Sequence, residues 1–160
     1  MSLIELSITH LQTIKNHAEK MYHNECCGLL LGNFTPEGKI VVEVWPTDNA
    51  WTKEVENYWP DDHNLTEKTR YAISPQDMLK AMKRGRDQHL EIIGIYHSHP
   101  DYPAIPSEFD RIGAWRAYSY IIVSVEQGQA TQVLSWVLDT NHQFQSEKIR
   151  EIDPNRTKIF

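Results

Sequence analysis

Cysteine is nearly missing from this chain of 160 residues, which contains only the adjacent pair Cys26 and Cys27. Adjacent cysteines do not favour a structural disulfide with each other, and they form no CxxC redox or zinc pattern. The sequence also lacks a run of the roughly 20 apolar residues that a membrane span requires. Its first residues have neither the basic flank nor the long apolar stretch of a signal peptide. We therefore expect a cytoplasmic protein that does not bind membranes.

The chain has fewer basic than acidic residues. The chain has 16 Lys and Arg against 22 Asp and Glu, and its net charge is −6. Proteins that bind nucleic acid usually carry a basic stripe. The longest basic cluster here is the short "KRGR" at 83–86, so we expect no nucleic-acid partner. The length suits a single domain over residues 1–160, in which the polar, tryptophan-containing segment 47–70 is an insertion loop.

The hydrophobic pattern predicts helices mixed with short strands. Apolar residues at helical spacing and N-cap signals predict helices at about 9–23, 74–88 and 107–117. Thr9 should lie at the start of the first helix. Short apolar or β-branched runs predict strands at 27–32, 39–46, 70–73, 90–97, 118–125, 131–138 and 144–152. The run at 90–97 is apolar on both faces and should be a central strand. The order of elements predicts an α/β (α+β) fold with a mixed, mostly antiparallel β-sheet flanked by helices.

Two histidines follow the predicted central strand at alternate positions. In an extended strand, residues i and i+2 point to the same side, so His97 and His99 should present two imidazoles on one face. The pair is half of a metal site, although two hydrogen-bonded or solvated histidines at a strand end would have the same spacing.

Ser107 and Asp110 follow after a proline-rich connection. Catalytic zinc needs three nitrogen or oxygen ligands and an open position, so Asp110 is the candidate third ligand. "SEFD" is also a capping-box pattern, in which Ser107 caps a helix and Asp110 is its third residue. The two interpretations are compatible, because an acid in the first helical turn can keep one oxygen for a metal.

Hydrolysis at such a site needs a second carboxylate as a proton acceptor. Glu25 is the candidate, because it stands where the first helix gives way to the small-residue run "CCGLLLG". Gly28 in that run should allow a backbone or ligand to approach closely. Read in isolation, a glutamate at this position is more often a solvated residue at a helix end.

The combination of Glu25 with "HSHPDYPAIPSEFD" resembles the signature of the JAMM (JAB/MPN+ domain) zinc metallopeptidase family, over about residues 5–140. The resemblance implies that His97, His99 and Asp110 bind one Zn²⁺ ion, that Glu25 is the general acid/base, and that Ser107 donates to the oxyanion. Fe(II) or Co(II) would also suit such ligands. The implied fold is the MPN/cytidine-deaminase-like sandwich.

The resemblance also implies a hydrolase acting on amide or isopeptide bonds. The chain is similar to bacterial stand-alone members, some of which trim residues after the glycine pair of sulfur-carrier proteins. We therefore expect the glycine-rich tail of a ubiquitin-like or sulfur-carrier protein as substrate. Such a tail could bind by adding as a strand at a sheet edge. The turn "EQGQ" leaves no room for the long second insertion of the eukaryotic deubiquitinases. An exposed edge strand would also support a homodimer.

Several other residues invite a functional interpretation. Trp51 and Trp59 in the 47–70 insertion are candidate substrate-binding residues, with local packing as the alternative. "DDHN" at 61–64 looks like a second metal site, but it has no clustered ligand nearby and is expected to be a solvated loop. Cys26 and Cys27 beside Glu25 invite a thiol-protease interpretation, but strand cysteines are usually small core residues.

Two alternative functions remain open from the sequence. One is an amidase or peptidase of the same chemistry that acts on small peptides or cell-wall fragments. The other is a non-catalytic interaction module that is stabilised by its metal.

Overall fold

The computed structural model describes residues 2–51 and 70–153. Its strands are β1 (Leu3–Ser7), β2 (Cys27–Thr35), β3 (Gly38–Thr47), β4 (Glu91–Pro100), β5 (Ser119–Glu126), β6 (Gln129–Leu138) and β7 (Phe144–Ile152). Its helices are α1 (Ile8–Met21), α2 (Pro75–Gln88) and α3 (Glu108–Ile112). None of these helices is long and apolar enough to cross a membrane.

The seven strands form one sheet that closes into a barrel in the order β1-β3-β2-β4-β5-β6-β7. Four of the seven pairings are antiparallel, and β1 with β3, β1 with β7 and β4 with β5 are parallel. The predicted mixed, mostly antiparallel sheet with helices is therefore confirmed. It closes on itself, because β1 pairs with β7 at the far end of the sequence.

Closure removes the free sheet edge that the sequence suggested. Each strand in the described part of the chain has a neighbour on both sides. Residues 2–51 and 70–153 therefore offer no free edge strand that could pair with a second copy of the chain. They also offer none to which a substrate tail could add as an extra strand. The homodimer and the single domain over residues 1–160 stay predictions.

A buried polar cluster lies where the barrel closes. The side chain of Glu147 on β7 accepts hydrogen bonds from Ser135 (2.8 Å) and Ser2, and its carboxylate lies 3.9 Å from the ammonium of Lys39 on β3. A buried carboxylate is tolerated only when it is paired and hydrogen-bonded. This cluster therefore ties β7 to β3, to β6 and to the residue before β1.

The first helix begins earlier than its sequence pattern suggested. Its N-cap is Ser7 rather than Thr9, because the Ser7 hydroxyl accepts a hydrogen bond from His10 N (3.1 Å) while His10 Nδ1 accepts from Ser7 N (3.4 Å). This capping box begins at the last residue of β1, a strand that the sequence analysis missed. The buried stripe Leu11, Ile14 and Ala18 then packs on the core of the barrel.

Two other elements differ from the prediction. Residues 70–73 are not a strand, because the backbone of Ala72 bonds to Asn49 and Ala50 rather than to a strand ladder. The helix predicted over 107–117 ends at Ile112, capped by Gly113, and Trp115 N donates instead to the Tyr120 hydroxyl (2.7 Å).

The central-strand prediction is confirmed. Strand β4 lies between β2 and β5, and its residues from 93 to 99 are buried.

Gly28 on β2 makes room for a side chain and not for a ligand, since a Cβ at this position would lie 2.3 Å from the Tyr96 ring. The Tyr96 hydroxyl bonds His17 Nδ1 on α1 at 2.7 Å, which fixes that helix against the barrel.

Candidate metal centre and active site

The C-terminal end of β4 presents two histidines to one side and a serine to the other. His97 is fully buried, and His99 is 4% exposed. Between them, the Ser98 hydroxyl accepts a hydrogen bond from Cys26 N (2.8 Å), and Ser98 N donates to Cys26 O (3.1 Å). Ser98 therefore anchors the residue after Glu25 to the histidine strand, a role that the sequence did not reveal.

The ligand atoms of His97, His99 and Asp110 form a nearly equilateral triangle. The two Nε2 atoms lie 3.2 Å apart, and each lies 3.3 Å from Asp110 Oδ2. A zinc ion held at about 2.0–2.1 Å in a tetrahedral site separates its ligand atoms by about 3.3–3.4 Å. The triangle therefore fits three ligands of one tetrahedral ion, as predicted from the spacing.

The surroundings of the two rings agree with this fit. His99 Nδ1 lies 2.8 Å from the carbonyl oxygen of Pro103, so it carries the proton and leaves the lone pair of Nε2 for a metal. His97 Nδ1 is buried without a hydrogen-bond partner among the described residues, and its ring is instead stacked on Tyr71 at 4.4 Å. Burial lowers the pKa of His97, although Asp110 opposes the effect, which favours the neutral form that binds metal.

The capping-box interpretation of "SEFD" holds in the structure, and it leaves Asp110 among the candidate metal ligands. The Ser107 hydroxyl accepts from Asp110 N (3.1 Å), and Asp110 Oδ2 accepts from Ser107 N (2.8 Å), so the capping box is formed. The same carboxylate belongs to the triangle. Burial alone would raise the pKa of Asp110, but the charge and the hydrogen bonds that His97 and His99 supply when protonated hold it well below the usual range.

Glu25 lies beside the triangle because of the strand register. Cys27 pairs with His97 across β2 and β4, which brings the residues just before β2 alongside the two histidines. Glu25 is 5% exposed. Burial and the charge of Asp110 raise its pKa well above the usual value, while Arg70 opposes the rise. A buried carboxyl group with a raised pKa next to potential metal ligands is typical of a general base.

Glu25 opens into a cleft of about 250 Å³, which we call the active-site cleft. The described residues that line it are Glu25, Arg70, His99, Pro100, Asp101, Tyr102 and Ser107. The structure thus brings the predicted base, one predicted ligand and the predicted oxyanion donor into one concave site. Arg70 is an addition, since the sequence analysis assigned it only to a short strand.

Asn49 connects the two walls of this cleft and was also missed. Its Nδ2 donates to the carbonyl oxygens of Glu25 (3.1 Å) and Arg70 (2.9 Å), and its Oδ1 accepts from the amides of Trp51 (3.0 Å) and Ala72 (3.1 Å). All four hydrogen-bonding positions of the side chain are therefore used. No motif or periodicity marks Asn49, so only the fold reveals it.

Trp51 lines a second, apolar groove of about 530 Å³ on the other side of Asp110. Its side chain is 2% exposed and packs edge-on against Phe109, with ring centroids 5.4 Å apart. Trp59 and the "DDHN" segment lie outside the described residues.

The cysteines behave as core residues. Cys26 and Cys27 are both free and buried, and burial raises the pKa of each thiol to about 12. A nucleophilic cysteine needs a lowered pKa. The thiol-protease interpretation therefore has no support.

Comparison with known proteins agrees with this site and fold. Residues 7–139 match the family model described as prokaryotic homologs of the JAB domain. Among solved structures, a protein from Desulfitobacterium hafniense has a TM-score of 0.75 at 25% identity, covering 98% of this chain and 99% of its own. A JAB1/MPN domain protein from Archaeoglobus fulgidus shares the fold, with a TM-score of 0.51 at 16% identity over 94% of this chain and all of its own.

Curated relatives align over parts of the chain. A desampylase from Pyrococcus furiosus is 30% identical over 87 residues, which are 54% of this chain and 60% of that protein. A desampylase from Haloferax volcanii is 24% identical over 80% of this chain and 75% of its own. A probable TtuB-protein conjugate cleaving protease from Thermus thermophilus is 39% identical over 36% of this chain and 39% of its own.

The barrel carries a His-His-Asp triangle that could hold a metal ion, beside a buried glutamate. The family match spans most of the chain, and the chain therefore belongs to the prokaryotic JAB family.

Proposed function

We propose that this protein is a zinc-dependent metallopeptidase or isopeptidase that hydrolyses an amide bond at the glycine-rich C-terminal tail of a ubiquitin-like or sulfur-carrier protein. The observation that carries the proposal is the buried Glu25 beside the triangle of His97, His99 and Asp110, at the wall of one open cleft. Three protein ligands would leave one position of a tetrahedral ion open, and Glu25 would supply the base that hydrolysis there requires.

The triangle would hold the ion, with His97 and His99 as neutral ligands and Asp110 as the anionic one. Zinc, when bound, acts as a Lewis acid that makes water a better nucleophile near neutral pH. The chain keeps the triangle fixed before any ion binds, because the capping box holds Asp110 and the Pro103 carbonyl orients His99.

Glu25 would move the proton. Its carboxylate accepts a proton from the attacking water and then donates it to the leaving nitrogen, so that the amine departs neutral. Burial raises the pKa of Glu25, which brings it closer to the pH at which it must both accept and release a proton. Asn49 and Ser98 support this role by fixing the backbone of Glu25 and of the residue that follows it.

Ser107 would stabilise the charge that develops on the carbonyl oxygen of the substrate. Its oxygen already accepts a hydrogen bond from Asp110 N, which leaves its own O–H to donate into the cleft. A donor aimed at developing negative charge is typically worth about 3–4 kcal/mol of transition-state stabilisation.

The substrate class is supported by the relatives. Two are named desampylases, and the third is named for cleaving a protein conjugate. The chain spans 60% of the first of these and 39% of the third, so their activity comes to this chain as part of the proposal. We include Trp51 and Trp59 as substrate contacts, with Trp51 acting through the apolar groove beside Asp110.

The test compares Glu25→Gln with Glu91→Gln, an exposed glutamate at the start of β4. Each protein is incubated with a ubiquitin-like protein that carries residues beyond its glycine pair, and cleavage is followed by mass spectrometry. We expect the native protein and Glu91→Gln to cleave equally, and Glu25→Gln to lose roughly 100- to 10,000-fold in rate with its metal content unchanged. Equal rates for Glu25→Gln and native protein would refute the proposal.

The alternatives make different predictions in the same assay. An amidase for small peptides would cleave short peptides and leave the tailed proteins intact. An interaction module would cleave neither, and Glu25→Gln would leave its function unchanged.

A further inference from the structure

Arg70 is the one residue with a fixed positive charge among the described residues that line the active-site cleft. The acidic residues of the same lining are Glu25 and Asp101, and the whole chain has a net charge of −6. A negatively charged group of a substrate would be repelled by most of this surface. Among the described side chains that line the cleft, Arg70 is the one that would attract it, in addition to a bound metal ion.

Two of the contacts of Arg70 fix its position relative to the site. Its carbonyl oxygen accepts from Asn49 Nδ2 (2.9 Å), the same amide group that holds the carbonyl of Glu25. Its guanidinium carbon lies 4.3 Å from the centre of the Phe109 ring, next to Asp110 in α3. Arg70 is thereby fixed relative to both the proposed base and the proposed metal ligand.

We propose that Arg70 binds a carboxylate of the substrate beside the amide bond that is cleaved, and so selects substrates that carry one there. The proposal rests on the proposed function. A guanidinium presents a fork of N–H donors that fits a carboxylate with two parallel hydrogen bonds. Because Arg70 lines the same cleft as Glu25 and Ser107, a group of the substrate that reaches Arg70 lies close to the scissile bond.

Two parts of a peptide could supply that carboxylate. One is the α-carboxylate of a single residue that follows the scissile bond at the end of a tail. The other is the side chain of an aspartate next to the bond. Three tail peptides separate these sources: one ending in Gly-Gly-Ala with a free carboxylate, one ending in Gly-Gly-Ala amide, and one ending in Gly-Gly-Asp amide.

A role within the protein would give a different result. If Arg70 only balanced the charge of Glu25 or supported Phe109, its removal would affect all three peptides equally. The experiment therefore measures the ratio between peptides in each variant. The variants are Arg70→Ala, Arg70→Lys, and Arg116→Ala as the control, because Arg116 is exposed and is not among the lining residues of the cleft.

Two quantities are measured for each combination of protein variant and peptide. They are kcat/KM for hydrolysis, and Kd by calorimetry in the Glu25→Gln background. We expect the native protein to prefer one of the carboxylate peptides to the plain amide by roughly 10- to 100-fold, the range for a hydrogen bond to a charged group. Arg70→Ala should remove this preference, Arg70→Lys should retain part of it, and Arg116→Ala should leave it intact. Which acid peptide is preferred identifies the source of the carboxylate.

The proposal is overturned if the native protein does not distinguish the three peptides, or if Arg70→Ala weakens all of them by the same factor. Hydrolysis of all peptides with an unchanged ratio in Arg70→Ala would leave the proposed function standing and refute only the role of Arg70. If no peptide is hydrolysed, the proposed function fails, and the binding ratio alone supports or overturns the carboxylate site.

Discussion

Replacing Asn49 by aspartate should destabilise the protein and slow its reaction, although the two side chains have nearly the same shape. The new carboxylate keeps an acceptor for the amides of Trp51 and Ala72. Its second oxygen, however, faces the carbonyl oxygens of Glu25 and Arg70, which Asn49 Nδ2 reaches at 3.1 Å and 2.9 Å. Two hydrogen bonds are lost, at about 0.5–1.5 kcal/mol each, and electrostatic repulsion is added. We expect the free energy of unfolding to fall by about 2–4 kcal/mol in total.

Urea denaturation near neutral pH measures this loss, with Asn16→Asp as the control. Asn16 is exposed on α1, and its side-chain oxygen accepts a hydrogen bond from Gln12 Nε2 at 2.7 Å, which an aspartate oxygen can also accept. Asn16→Asp should therefore lower the free energy of unfolding by less than about 0.5 kcal/mol. The destabilisation at Asn49 should shrink as the pH falls, because a protonated carboxyl group can donate again. A shift of Glu25 by about 1 Å would also lower kcat by roughly 100-fold. Stability of Asn49→Asp within about 0.5 kcal/mol of the native protein would refute the reasoning.

Three further predictions concern buried groups around the site. Burial raises the pKa of Glu25, so in chelator-treated protein the free energy of unfolding should fall as the pH rises from the ordinary pKa of a glutamate through the raised pKa. Glu25→Gln should therefore raise Tm more at about pH 8 than at about pH 5. An equal rise in Tm at both pH values would contradict this. Cys26 and Cys27, with thiol pKa values raised to about 12, should resist alkylation at about pH 8 in the native state and react fully in urea, and rapid native labelling would show that they are not buried. Gly28→Ala should cost about 1–3 kcal/mol or more in urea denaturation, because its Cβ would lie 2.3 Å from the Tyr96 ring, and unchanged stability would show that the ring can move freely.

The candidate metal triangle could be predicted from the sequence because its geometry is local. An HxH pair on a strand fixes two imidazoles on one face, and the capping box "SEFD" fixes Asp110 relative to Ser107. Only the packing of α3 against β4 remained to be found. The Asp110 carboxylate both closes the capping box and belongs to the triangle, so the cap role and the predicted ligand role are compatible.

The barrel closure and the supporting residues could not be predicted in the same way. Strand β1 is five residues long and runs directly into α1, without a turn residue to mark its end. Its parallel pairing with β7 joins residues such as Leu3 and Lys148, which no local pattern connects. Asn49 and Arg70 lie at the two sides of a non-periodic segment, and their roles depend on how that segment meets Glu25.

Metal content per chain tests the central claim most directly. It is measured by mass spectrometry after purification without chelator or nickel affinity, for native protein, His97→Ala, Asp110→Ala and the control Asp87→Ala, an exposed residue on α2. We expect about one zinc in the native protein and in Asp87→Ala, and almost none in His97→Ala and Asp110→Ala. Native protein that cannot be reconstituted with zinc, or equal zinc in all four proteins, would contradict the metal centre.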